Sequence, residues 1–108
     1  MTHKAKKVVI ITEKLILDQV LKIVEAAGAT GYTVTSAGGK GSRNVRSEAR
    51  TTVVEAFSNV KIEVIVGDAT AAERIATEVA DTCFGNYSGV TYLQDVEILR
   101  PHKFTRTS

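Results

Sequence analysis

Three glycines and three cations fall within nine residues, Gly38-Gly39-Lys40-Gly41-Ser42-Arg43-Asn44-Val45-Arg46. Glycine lets a backbone come close to a ligand and turn its N–H groups inward. Lysine supplies a point charge and arginine a planar fork of donors, both suited to phosphate oxygens. Lys40, Arg43 and Arg46 recur at every third position, so they can converge if the segment folds back on itself. Neutral N–H donors from the glycines would add to that charge. The chemistry expected of this segment is phosphate binding. A second turn, Asn86-Tyr87-Ser88-Gly89-Val90, combines polar residues with one glycine in the same manner.

The segment is not a Walker A loop. Gly41, not Ser or Thr, follows Lys40, and Val34 stands where the first glycine of that motif belongs. It is not a dinucleotide fingerprint either, because it opens a long irregular stretch and no helix. His3 and His102 lie near opposite ends, with no acid or cysteine at ligand spacing to either, so neither a metal site nor a catalytic triad is expected.

The elements that must position these residues can be read from periodicity. Lys7 to Ile11 is β-branched and reads as a strand buried on both faces. Leu17, Val20, Leu21 and Val24 then recur at helical spacing, with Gly28 as the expected stop. Tyr32 to Thr35 reads as a second strand. Residues 39 to about 57 hold neither period, and a loop of that length is usually functional or disordered. Val60, Ile62, Val64 and Val66 share one face of a third strand. Thr70 is the expected N-cap of a second helix, with Glu73 completing a capping box. Ala72, Ile75, Ala76, Val79, Ala80 and Cys83 form its apolar stripe, and Gly85-Asn86 its end. Val90 to Leu99 reads as the last strand, stopped by Pro101.

The order β-α-β, long loop, β-α-β is that of an α+β, ferredoxin-like fold. It has a four-stranded antiparallel sheet with two helices on one face. The other face of the sheet has no helix, and apolar residues on both faces of the first and last strands predict that further subunits cover it. At 108 residues the chain is expected to form a single domain, 1–108. Its formal charge of +2 excludes a basic surface over the whole domain, so any positive field is local. One cysteine, Cys83, excludes an internal disulfide and a thiolate cage within one chain. Neither a signal peptide nor a membrane span is legible, and a cytoplasmic location is expected. RNA-recognition sheets of this topology carry aromatic residues on the first and third strands. Lys7–Ile11 and Val60–Val66 have none, so no nucleic-acid partner is expected.

Taken together, the runs from Lys7 to Lys14, Gly31 to Val34, Gly38 to Ser47 and Tyr87 to Val90 closely resemble the SbtB family of PII-like signalling proteins. These serve the carbon-concentrating systems of cyanobacteria. The wider PII superfamily is echoed in Val60-Lys61-Ile62-Glu63. The resemblance implies a homotrimer that binds adenine nucleotides (cyclic AMP, AMP, ADP or ATP) in the clefts between subunits, with no covalent cofactor. It implies that residues 39 to about 57 are the T-loop, an effector arm. Gly39, Lys40, Gly41, Ser42, Arg43 and Arg46 would form the loop base and phosphate site. Tyr87, Ser88, Gly89 and Val90 would complete the pocket. The partner implied is SbtA, the sodium-dependent bicarbonate transporter, which would hold the protein peripherally at the cytoplasmic membrane.

Two departures limit what is carried over. Some members end in a cysteine-containing loop linked to redox control and nucleotide hydrolysis, whereas Pro101 to Ser108 holds no cysteine. Neither property is expected here, and no enzymatic activity is assigned. No tyrosine falls between Gly39 and Phe57, so the modification site of classical PII proteins is missing as well. Two other readings share the architecture. An acylphosphatase-type enzyme would need a phosphate loop directly after the first strand, where Thr12-Glu13-Lys14 instead runs into the helix. A CutA-like trimer would lack the 39–57 insertion.

Overall fold

A computed structural model of the chain describes residues 1–38 and 58–100. Its elements run β1 (His3–Glu13), a 3-10 turn (Lys14–Ile16), α1 (Leu17–Ala26), β2 (Thr33–Ala37), β3 (Asn59–Val66), α2 (Ala69–Cys83) and β4 (Gly89–Ile98). The sheet order is β2-β3-β1-β4, and all three pairings are antiparallel. This is the ferredoxin-like arrangement anticipated above, with β1 and β3 at its centre.

Central placement explains why β1 is longer than its β-branched run. It has a ladder partner on each side, from Lys6 to Glu13 against β3 and from His3 to Thr12 against β4. Backbone pairing therefore carries the lysine-rich start into the sheet. Side chains then match across it: Lys6 is ion-paired with Asp95, and the Thr2 hydroxyl donates to Glu97 at 2.6 Å.

The core lies between the sheet and the two helices. Val8 and Ile10 from β1, Val60, Ile62, Val64 and Val66 from β3, Val20 and Val24 from α1, and Ala72, Ile75, Val79 and Cys83 from α2 form one buried cluster. The alternation of β3 and the stripe of α2 supply these residues as their periods dictate. Ala76 packs partly buried against the same cluster. Each large aliphatic side chain so buried contributes about 1.5–3 kcal/mol. Gly28 ends α1 at φ 95°, a conformation open to glycine at little cost.

The start of α2 differs from the sequence expectation. Asp68, not Thr70, is the N-cap: its backbone is extended, and its carboxylate accepts the N–H of Thr70 at 2.9 Å. Thr70 lies inside the first turn, so no capping box with Glu73 can form. Asp and Thr are both good caps. The chain thus enters the helix two residues sooner than the expected cap at Thr70.

On the helix-free face Val9 is buried between Glu63 and Tyr92 in the register, as a strand buried on both faces requires. Around it the surface is apolar but open. Val90 is 50% exposed and Tyr92 41%, and Ile11, Ile65, Val96 and Ile98 are partly exposed. Lys7 and Lys61 approach Glu63 on this face at 3.4 and 3.6 Å. These pairs are partly solvated and contribute at most about 1 kcal/mol each.

Candidate functional site

All four strands reach the same end of the sheet with the termini that matter. Antiparallel pairing brings together Glu13 at the end of β1, Ala37 at the end of β2, Asn59 at the start of β3 and Gly89 at the start of β4. The glycine-rich segment leaves the sheet after Ala37, and the second turn enters it at Gly89. Sequence order separates them by some fifty residues, and topology returns both to one end of the sheet. Gly39, Lys40, Gly41, Ser42, Arg43 and Arg46 themselves lie outside the described residues, as do 101–108.

The strands that lead to these two segments are not adjacent within one chain. β2 and β4 are opposite edge strands, three strand spacings apart, or about 14 Å at roughly 4.8 Å per spacing.

The turn from Asn86 to Val90 is fastened to the end of β1. The N–H of Ser88 donates to Oε2 of Glu13 at 2.8 Å, and the Ser88 hydroxyl stands 3.4 Å from the same oxygen. The carbonyl of Ser88 accepts from the hydroxyl of Thr12 at 2.8 Å. Thr12 is 2% exposed, and this bond satisfies its buried hydroxyl. Bonds to a charged acceptor contribute about 1.5–3 kcal/mol, more than a neutral pair. Further back, the N–H groups of Asn86 and Tyr87 both donate to the carbonyl of Cys83, winding α2 down into the turn. The neighbouring strand root is fixed from the same place, since the N–H of Lys14 donates to the carbonyl of Ser58 at 2.8 Å.

Gly89 has a structural reason to be glycine. A Cβ there would lie 2.3 Å from Cε1 and 2.5 Å from Cζ of Phe84, whose ring packs against the core. The small residue admits this ring; its backbone is not in the left-handed region. Of the residues expected at the turn, Tyr87 packs partly against the core and Val90 is open on the helix-free face. Ser88 is held by in-chain bonds through its amide and its carbonyl.

Sequence reasoning missed Thr12, Glu13 and Phe84 as supports of this turn. Glu13 and Ser88 are separated by 75 positions, and no spacing rule connects them. Phe84, five residues before Gly89, was the one local signal.

Other chemistry is sparse among the described residues. No group of three or more His, Cys, Asp or Glu side chains could hold a metal ion. Cys83 is buried, and burial pushes its thiol pKa up, so it is unreactive rather than nucleophilic. A shallow concavity of about 470 Å³ on the outer face of α2 is lined by Thr70, Glu73, Arg74, Thr77, Glu78 and Asp81. Three carboxylates against one guanidinium do not suit phosphate. No described helix is long and apolar enough to cross a membrane.

The fold has counterparts among known proteins. A PII-like signalling protein from Thermus thermophilus is 28% identical, with a TM-score of 0.77 over 95% of this chain and 97% of that one. CPII, a nitrogen regulatory PII-like protein from Thiomonas intermedia solved with ADP, AMP and bicarbonate, is 26% identical with a TM-score of 0.80, covering 98% of each chain. A second CPII structure, bound to ADP and bicarbonate, is 25% identical with a TM-score of 0.78 over 96% of this chain and 97% of that one. The family model described as nitrogen regulatory protein P-II matches residues 5–103, from within β1 to beyond β4. A match that spans the whole sheet and both helices places the chain in the nitrogen regulatory protein P-II family, as a PII-like signalling protein.

Proposed function

We propose that this PII-like protein senses adenine nucleotides at the sheet end where Gly39–Arg46 and Tyr87–Val90 meet, and relays their identity to a membrane partner. The observation that carries this reading is CPII, a relative over 98% of the chain that was solved with ADP, AMP and bicarbonate. Lys40, Arg43 and Arg46 supply the phosphate-binding charge, with backbone donors from Gly39, Gly41 and Ser42. Tyr87, Ser88, Gly89 and Val90 form the opposite wall.

Strands β2 and β4, from which the two segments extend, lie about 14 Å apart in one chain, and the site is formed between subunits of a homotrimer. The open apolar surface around Tyr92 and Val90 supports that assembly. The finer reading, from the resemblance to the SbtB family, is that residues 39 to about 57 act as the T-loop. Cyclic AMP, AMP, ADP and ATP bias its conformation, and only one loop state engages the bicarbonate transporter SbtA. The protein is then a cytoplasmic regulator, peripheral to the membrane, with no catalytic role. Bicarbonate itself is a second candidate ligand, because CPII was also solved with ADP and bicarbonate.

Calorimetry with each nucleotide, alone and with bicarbonate, tests the site, and native mass spectrometry reads the assembly. Arg46→Ala should weaken ADP and cyclic AMP by about tenfold while leaving a trimer, the loss of one charge-assisted contact. Unchanged affinity for both ligands would remove Arg46 from the site. A monomer that binds nucleotide normally would refute the intersubunit cleft.

A further inference from the structure

The ladder between β1 and β4 ends at the pair Thr12–Gly89. Ser88, one position beyond, is held by the side chains of Thr12 and Glu13. These are consecutive strand residues, so they reach the turn from opposite faces of the sheet. The Glu13 backbone is extended at φ −71°, ψ 137°, and its side chain makes no cap bond to the 3-10 turn that follows. Instead Oε2 takes the Ser88 amide at 2.8 Å, one position beyond the last ladder pair.

We infer that Glu13 is a positioning residue for ligand at the Tyr87–Val90 wall, acting through Ser88 without touching the ligand. The inference rests on the nucleotide reading above. With the amide and the carbonyl of Ser88 both fixed, the backbone entering β4 has one direction. The groups of Tyr87, Gly89 and Val90 are thus arranged before ligand arrives. A turn released from Glu13 must be ordered on binding, and that ordering is subtracted from affinity. Geometry is the operative property: an oxygen acceptor must reach the Ser88 amide.

Three substitutions separate geometry from charge. Glu13→Ala removes the acceptor, and ADP and AMP should bind about tenfold more weakly. Glu13→Gln keeps an acceptor at the same reach and should stay within about threefold of the unmodified chain. Glu13→Asp keeps the charge but draws the oxygen back by one methylene, and should lose several-fold. It replaces the alanine variant if that one does not fold. Calorimetry gives the affinities, and amide exchange at Ser88 reports the latch directly. Exchange should accelerate in Glu13→Ala and Glu13→Asp but not in Glu13→Gln.

Full ADP and AMP affinity in a variant whose Ser88 amide has become fast-exchanging would overturn the inference while leaving the nucleotide site standing. A weak Glu13→Gln beside a tight Glu13→Asp would make charge the operative property and overturn it too. If the unmodified chain binds neither nucleotide, the nucleotide reading falls first, and the inference with it.

Discussion

The ring of Phe84 lies over the α-carbon of Gly89, so close that a methyl group at Gly89 would sit 2.3 Å from its Cε1. Phe84 is the C-cap residue of α2 and Gly89 opens β4. Gly89→Ala should therefore destabilise the protein by about 1–3 kcal/mol, because Phe84 must swing off the core to make room. Thermal denaturation of Gly89→Ala, and of the same change with Phe84→Leu, checks this. The double variant should recover part of the loss. Equal melting of Gly89→Ala and the unmodified chain would show that the ring moves freely.

Asp68 and Thr70 compete for the role of N-cap, and the 2.9 Å bond from the Thr70 amide to the Asp68 carboxylate decides it. Asp68→Ala should cost about 1 kcal/mol in urea denaturation. Thr70→Ala should fall within about 0.5 kcal/mol of neutral, as exposed changes away from a cap do. Reversed magnitudes would place the cap at Thr70.

The hydrogen bond and charge of Lys6 lower the Asp95 pKa, against a smaller opposing effect of burial. Such a group stabilises the fold above its unfolded pKa and loses that contribution as pH falls through the lower, folded value. NMR titration of the Asp95 carboxyl should give a midpoint below the usual aspartate value, and Lys6→Ala should raise it. Asp95 is exposed, so the effect on melting temperature should be small and should shrink with added salt. An Asp95 midpoint indifferent to Lys6→Ala would dismiss the pair in solution.

Cys83 is 1% exposed and sits in the core cluster. A thiol reagent such as DTNB should modify it at least about 100-fold more slowly in the native protein than in concentrated guanidinium, because reaction waits for opening. Rapid native labelling would mean that the end of α2 opens readily.

Much of the architecture was legible because burial imposes periodicity. Val60, Ile62, Val64 and Val66 occupy one face of β3, and Ile75, Val79 and Cys83 one stripe of α2, as the spacing predicts. The ends were less legible. Nothing in His3-Lys4-Ala5-Lys6 favours a strand, yet pairing with β4 extends β1 through it. Asp68, outside the apolar stripe, capped α2 through its bond to the Thr70 amide.

By itself the sequence determined the fold class, the apolar faces and the residue types suited to phosphate. These are local properties, set by side-chain period and by the chemistry of glycine, lysine and arginine. Only the tertiary structure decided that the ends of β1 and β2 and the starts of β3 and β4 share one end of the sheet. It also placed the carboxylate of Glu13 at the amide of Ser88 and put the ring of Phe84 over Gly89. Such contacts follow from strand order and register, and a side chain carries no mark of a partner 75 positions away.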